Sequence, residues 1–474
     1  MLTRLKISGF KSISSAELRF GPFTCIAGAN GAGKSNLFDA IMLLKDLADH
    51  SIVEAAHRVR NRQGIKNGDL RSLFTTSSNG QASNIYIEAD IIVPGEVEDD
   101  FGRRAIPTTT FLTYQLELAY SSTDELSESI ELVKEELRYL PRSEAKSRIG
   151  FSYSKDFKDS ALKGERRAPY ITTEVVDNIS IIKVSQDGNS GRPSQVPARK
   201  SPRTVLGSAN TDERPTVLAA RREMQSWKLL QLEPSKLRAP DEFSDDPHIT
   251  FDGAHIPGAL ERVKRYEEVS NRMSLLLPEV VSVSVDVDHT RRIKTLQMEQ
   301  RGGVRHKARS LSDGTLRFLA LATMAYDPEA TGLICLEEPE NGIHPSRIDA
   351  ILELLREMAV DPKFAVGKDN PLRQVIINTH SPSVVRNLVP DELLVALRVQ
   401  KGRSFSTKYA PMANSWRSSA DNQKTLDAPV VSLSELLDFL TNRNDEDESA
   451  VRDRRLWQLA AAQAIFDFDD SVTK

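Results

Sequence analysis

The chain has 474 residues, enough for two or three compact units that each bury a core of their own. Charged residues make up 27% and apolar residues 39%, with a formal net charge of -4, so nucleic-acid contact would have to come from local basic patches and not from the overall field. Cys25 and Cys335, the two cysteines, sit inside apolar runs, which argues against a disulfide framework or a cysteine-bound metal. The opening Met-Leu-Thr-Arg-Leu-Lys lacks a signal-peptide core, and no segment approaches the ~18 uninterrupted apolar residues of a membrane span. A cytoplasmic protein without membrane contact is expected.

Three short strands are predicted first, Leu5 to Ile7, Ala16 to Phe20 and Phe23 to Ala27, ending at a glycine-rich turn. Leu37, Ala40, Ile41, Leu44 and Leu47 then recur at helical spacing, predicting a helix that lays one apolar face on a sheet. Residues 84–185 alternate polar and apolar, as in Asn84 to Ile92 and Phe111 to Ala119, which predicts an antiparallel sheet. Residues 186–212, rich in Gly, Ser, Pro and Arg, read as a mobile surface loop. From Pro215 to Leu277 the apolar marks Leu218, Met224, Trp227, Leu230, Leu260, Val263, Tyr266 and Val269 read as helical, without the sustained heptads of a coiled coil. The stretch 310–400 alternates helices with fully apolar strands, Leu333 to Leu336, Val375 to Ile377 and Leu393 to Leu397, as in a parallel sheet covered on both faces. Two short helices around the acidic loop Asn444 to Glu448 are expected at the C-terminal end.

Four elements carry chemistry. Gly28-Ala-Asn30-Gly31-Ala32-Gly33-Lys34-Ser35, followed by Asn36, fits the Walker A pattern and lies between an apolar strand and a helix. Glycines let backbone N–H groups curl around phosphates, Lys34 meets the β and γ phosphates, and the Ser35 hydroxyl reaches Mg2+. The competing reading is a glycine-rich turn with no ligand. Glu337 and Glu338 end the apolar strand Leu333 to Leu336, and adjacent residues on an extended chain point apart. Glu337 would hold Mg2+ while Glu338 orients or deprotonates an attacking water; alone, the pair would read as an acidic surface turn. Ser312 and Gly314 stand at the start of the apolar helix Leu316 to Met324, either as a cap or as a second anion-binding end. His380 ends the strand Val375 to Ile377 and, if that strand lies beside the acidic one, would come near the γ-phosphate; His344 reads as ordering the turn before Pro345.

Together these elements resemble the ABC-type ATPase head, in the branch that includes RecF, the SMC proteins and the OLD-like ATPases of bacterial defence systems. The resemblance extends over all but the C-terminal piece and implies an α/β fold: an ABC-type P-loop head with a mixed or parallel core sheet, an antiparallel β subdomain and a helical insertion. It divides the chain into an N-terminal lobe 1–83, the β subdomain 84–185, the loop 186–212, the helical insertion 213–309, a C-terminal lobe 310–430 and a helical tail 431–474. In that family two heads sandwich two ATP molecules. By this likeness Ser312 and Gly314 act on nucleotide held by a partner head, Glu338 is the catalytic glutamate, His380 the switch histidine, and Lys11, in Gly9-Phe-Lys11-Ser12, approaches the nucleotide. The signature is Leu-Ser312-Asp313-Gly314-Thr315, not the transporter Leu-Ser-Gly-Gly-Gln, and more than 270 residues separate it from Lys34, which removes the transporter reading.

The resemblance implies ATP and Mg2+ as cofactors and a homodimer or higher oligomer through ATP-sandwiched heads. With 94 residues after His380 and no strand ending in a glutamate-glycine pair, a TOPRIM nuclease domain is not expected, and Asp467 to Asp470 read as a solvated tail. The expected function is therefore ATP binding and hydrolysis that drives head dimerisation, senses a trigger and controls a separately encoded effector such as a nuclease, in anti-phage defence. The alternatives are a RecF-like DNA-binding repair ATPase and a scaffold that holds ATP without turning it over. Arg291, Arg292, Lys294, Arg301, Arg305, Lys307 and Arg309 form a basic run before the signature, read as a solvated face with DNA contact or partner phosphates as alternatives.

Overall fold

A computed structural model describes residues 1–60, 69–77, 80–122, 128–166, 168–188, 193–401, 404–419 and 429–441. Its core sheet has six strands in the order Lys228–Leu230, Gly332–Glu337, Arg373–Thr379, Phe23–Ala27, Leu393–Lys401 and Ser404–Pro411. The first five run parallel and the last returns antiparallel as a hairpin edge. Phe23–Ala27 and Arg373–Thr379 are buried along their whole length, as expected of strands in a sheet covered on both faces, with the apolar run Val375 to Ile377 at the centre of the second. Thr379 pairs with Ala27, and Asn378 with Glu337. This register sets the ends carrying Gly28, Glu338 and His380 at one level, the carboxyl end of a parallel sheet, where ligands bind.

A second sheet of eight antiparallel strands runs from Ser194–Pro197 through Ile179–Val184, Ile171–Val176, Glu128–Tyr139, Phe111–Ser122, Asn84–Ile92 and Leu2–Phe10 to Ile13–Arg19. The helix Lys34–Leu47 lies between the two sheets: one core joins its Leu37, Phe38, Ile41 and Leu44 to Leu5, Ile7, Ile87 and Leu116 on one side and to Ile26 and Ile376 on the other. This corrects the expectation of a single apolar face, because a helix between two sheets is buried on nearly every side, Asp39 and Asp46 included. Helices Asp313–Ala325, Ile348–Met358 and Leu433–Thr441 cover the opposite face of the core sheet.

Three further expectations are corrected. The antiparallel sheet does not begin at residue 84, since the first two strands form its other edge. Within 186–212, Ser194–Pro197 pairs with Ile179–Val184 instead of belonging to a mobile loop, and the Val205 and Leu206 N–H groups donate to the buried Glu135 carboxylate at 2.7 and 2.8 Å. The insertion is not all helical: after Pro215–Gln225, Ile256–Val263 and Tyr266–Leu276, the strands Val280–Asp288, Ile293–Gln300 and Val304–Lys307 form an antiparallel sheet. Val283, Leu296 and Met298 turn inward there while Ser284 and Asp286 alternate with the inward positions, a period of two that a helical reading overrides. The Asn444 to Glu448 loop and the Asp467 to Asp470 tail lie outside the described residues.

Candidate functional site

Between Ala27 and Lys34 the chain makes the tight turn that its glycines permit. Gly33 has φ +93°, and a Cβ there would overlap the Thr407 hydroxyl of the neighbouring hairpin edge and come within 2.9 Å of Ser12 Oγ. The turn is braced from behind: Tyr409 donates to the Gly33 carbonyl at 3.1 Å, Asn36 Nδ2 donates to Ser12 Oγ at 2.6 Å, and the Ser12 and Thr407 hydroxyls lie 2.6 Å apart. Lys34 folds back onto the Gly28 and Ala29 carbonyls at 2.8 Å each. Ser35 stands exposed, whereas Ala32 is buried and packs into the core. The helix Lys34–Leu47 has no side-chain cap at its start and no acidic residue in its first turn, so its N-terminal N–H groups and dipole suit an anion.

This loop forms one wall of a cleft of about 590 Å³, lined by Asn30, Gly31, Gly33, Lys34, Ser35 and Asn36, with Glu337, Glu338, Asn341 and Asn378 opposite. Its size falls within the ~300–1,000 Å³ of small-molecule sites. Glu338, at φ +46°, hydrogen-bonds His380 Nδ1 at 2.5 Å through one carboxylate oxygen and accepts from Asn341 Nδ2 at 2.9 Å through the other. Partial burial pushes the Glu338 carboxyl up, but the bonds from Asn341 and His380 and the charge of Lys34 outweigh it and hold the group below its ordinary value. An ionised carboxylate fixed at both oxygens is equipped to orient a water or take its proton. Among the described residues, Glu337 is restrained by a 3.4 Å contact from Asn378 Nδ2, which leaves acceptor capacity for a cation. Two carboxylates facing an anion-binding loop repel a polyphosphate unless a divalent ion stands between them, so the residues fit Mg2+ with Ser35 and Glu337 as ligands.

The structure therefore brings together Asn30, Gly31, Gly33, Lys34, Ser35, Asn36, Glu337 and Glu338, with His380 bonded to Glu338 and the Gly28 carbonyl holding Lys34. Three candidates lie elsewhere. Lys11 is not in the cleft wall; in a left-handed conformation behind the loop, it pairs with Asp39 at 2.5 Å. Ser312 caps its own helix by accepting from the Thr315 N–H at 3.2 Å and is exposed. Gly314 is buried where a Cβ would overlap the Gly342 carbonyl, so the backbones of the signature helix and of the loop after Glu338 touch. His344 accepts from the Ser346 N–H at the start of the short turn Pro345–Arg347, and the helix proper begins at Ile348. Asn341, Asn378, Thr407 and Tyr409 are additions that sequence reasoning missed. The basic run does not form one strip: Arg291 and Arg292 lie in the turn before Ile293–Gln300, Arg301 in the turn after it, and Lys294 and Arg305 pair with Glu261 and Glu299.

Cleft and parallel sheet define a P-loop nucleotide-binding head of the ABC type. A family model described as "AAA domain, putative AbiEii toxin, Type IV TA system" matches residues 23–386, and the chain belongs to this family. Among curated proteins it resembles the DNA replication and repair protein RecF of Porphyromonas gingivalis strain W83, 29% identical over 154 residues, which is 30% of this chain and 41% of that protein. The RecF of Magnetococcus marinus is 57% identical over 44 residues, 9% and 12% of the two chains. The chain thus spans less than half the length of these relatives. Among solved structures, an SMC head bound to the C-terminal winged-helix domain of ScpA aligns with 14% identity and a TM-score of 0.46, covering 86% of this chain and 98% of that one. The SMC head of Thermotoga maritima aligns over the same shares with 14% identity and a TM-score of 0.37. The chain is thus a P-loop protein of this AAA-domain family with a partial sequence likeness to RecF. Among the described residues, no helix is long and apolar enough to cross a membrane.

Proposed function

We propose that the chain binds and hydrolyses ATP in the cleft between Lys34 and Glu338, and that nucleotide-driven closure of two heads passes a trigger to a separately encoded effector such as a nuclease, in anti-phage defence. The observation that carries the hydrolytic part is the meeting of a phosphate-binding loop and the Glu338–His380 pair in one cleft. Lys34 leaves the Gly28 and Ala29 carbonyls for the β and γ phosphates. Glu338 orients the water and accepts its proton, with His380 holding the carboxylate in place. Bound Mg2+ would supply positive charge between the phosphates and Glu337. Ser312 and Gly314 act on the nucleotide of the partner head, in keeping with the exposure of Ser312 and its absence from its own cleft wall. The toxin–antitoxin system named in the family description favours the defence setting. Phosphate release by wild type and by Glu338→Gln tests the chemistry; equal rates would remove Glu338 from its role. Light scattering of Glu338→Gln with ATP tests the assembly, and a persistent monomer would remove Ser312 from its role in the partner's site.

The RecF likeness favours a second reading, in which ATP controls clamping on DNA. Duplex binding with and without ATP across a salt series separates the two, because phosphate contacts give a steep salt dependence. Absence of ATP-dependent binding at low salt would dismiss it.

A further inference from the structure

Thr379 stands where three functional segments leave the core sheet. Its carbonyl accepts from the Gly28 N–H, the first residue of the phosphate loop, at 3.2 Å. Its hydroxyl accepts from the Ser381 N–H at 2.9 Å, closing the turn that presents His380, and donates to Glu340 Oε1 at 2.5 Å. The other oxygen, Glu340 Oε2, is buried with no hydrogen-bond partner among the described residues. A carboxylate left half-satisfied in the interior is destabilising, and an apolar side chain would pack there at less expense. Stability alone therefore does not account for an acid at this position. Glu340 also directly precedes Asn341, whose amide holds Glu338.

We infer that Glu340 and Thr379 are a positioning pair: the hydroxyl bridge from Glu340 through Thr379 to the Ser381 N–H fixes the turn that carries His380, and so sets the Glu338–His380 contact without either residue touching nucleotide. The inference rests on the hydrolytic role proposed for that contact. Removing the bridge frees the histidine turn while the phosphate loop, anchored through the Thr379 backbone carbonyl, keeps its place. The signature is therefore a loss in kcat at nearly constant KM.

The test compares Thr379→Val, which removes the hydroxyl, with Thr379→Ser, which keeps it, and Glu340→Leu with Glu340→Gln, whose amide oxygen still accepts. Thr379→Val and Glu340→Leu are expected to lower kcat by roughly 10- to 100-fold with KM changed less than about threefold, the usual size of a misplacement or supporting-contact effect. Thr379→Ser and Glu340→Gln retain most of the turnover. A second readout needs no turnover: the His380 imidazole signals, assigned among the eight histidines of the full chain by His380→Gln, shift in Thr379→Val and Glu340→Leu and stay in the conservative variants. Wild type that releases no phosphate would overturn the hydrolytic reading, leaving the imidazole signals to judge the bridge. Active wild type with a dead Glu338→Gln, but Thr379→Val as fast as Thr379→Ser and His380 signals unmoved, would overturn the positioning pair alone.

Discussion

Gly33→Ala puts the local geometry of the phosphate loop to a quantitative test. At φ +93° an alanine carries a left-handed penalty of ~1–2 kcal/mol. Its Cβ would also overlap the Thr407 hydroxyl and crowd Ser12 Oγ at 2.9 Å, and Thr407 is itself buried, so the overlap cannot be relieved by swinging a side chain into solvent. Overpacking of this kind costs a further ~1–3 kcal/mol. If the loop moves away instead, it forfeits the Tyr409 bond to the Gly33 carbonyl, worth ~0.5–1.5 kcal/mol. A total on the order of 2–5 kcal/mol is thus at stake, and it divides between folding and binding. A relaxed loop spares the fold but must be pushed back when nucleotide arrives, so affinity falls by ~100-fold or more. Titration of a fluorescent ATP analogue and thermal unfolding, run on the same protein, measure both shares. Gly31→Ala is the comparator for folding: φ is +76° there, but nothing lies within 4 Å of the added carbon, so only the conformational penalty applies and the melting temperature falls less. Gly33→Ala that binds nucleotide as tightly as wild type and melts at the same temperature would show that the hairpin edge does not set the loop.

Asn341→Ala removes one of the two bonds holding Glu338 below its ordinary value, so the acidic limb of the kcat/KM profile is expected to move to higher pH; an unmoved limb would separate Asn341 from the active carboxylate. Glu135, fully buried, is pushed up to about 7 by desolvation despite its bonds from Leu206, Val205 and Tyr114. A raised folded value means that its contribution is complete below the unfolded value of 4.5 and is lost as pH rises through about 7, a change of ~3 kcal/mol, so Glu135→Gln should flatten stability against pH across that window in denaturant titrations. Gly314→Ala would wedge the signature helix from the Gly342 backbone at ~1–3 kcal/mol, and should weaken ATP-dependent dimerisation seen by light scattering more than nucleotide binding by the isolated head.

How much of this was legible in the sequence depended on whether a contact runs along the chain or across it. The phosphate loop is contiguous, and its strand and helix flank it in order. The ends bearing Glu338 and His380 were readable because uninterrupted apolar runs mark doubly covered strands, which need a parallel neighbour. Asn378 has no local signal, because its role exists only once the register sets it beside Glu337, whereas Asn341 reaches Glu338 three residues back through a turn whose closure, by the Asn341 N–H onto the Glu338 carbonyl, no sequence pattern announces. Ser12, Thr407 and Tyr409 meet the phosphate loop from segments at opposite ends of the chain, and no local pattern connects them. The sheet around Val283 is legible in its alternation, but the helical marks on both sides carry the apparent period toward 3.6.

The proposed two-head reading has a physical rationale in the signature helix. Ser312 Oγ accepts from the Thr315 N–H and lies 2.7 Å from the Thr315 hydroxyl; with Thr315 donating there, the Ser312 proton remains available to an acceptor outside the chain. That exposed hydroxyl heads a helix whose second residue, Gly314, bears on the Gly342 backbone, while Arg317 on the same helix donates to the Asn341 carbonyl at 3.3 Å. Asn341 in turn holds Glu338. On the proposed reading, a partner's γ-phosphate that draws Ser312 outward pulls on the segment that aims the catalytic carboxylate in the opposite cleft. Packed backbones transmit such a shift with little loss, since close-packed interiors resist compression. Each head would then hydrolyse only when its neighbour is loaded, which would make ATP turnover a report on assembly.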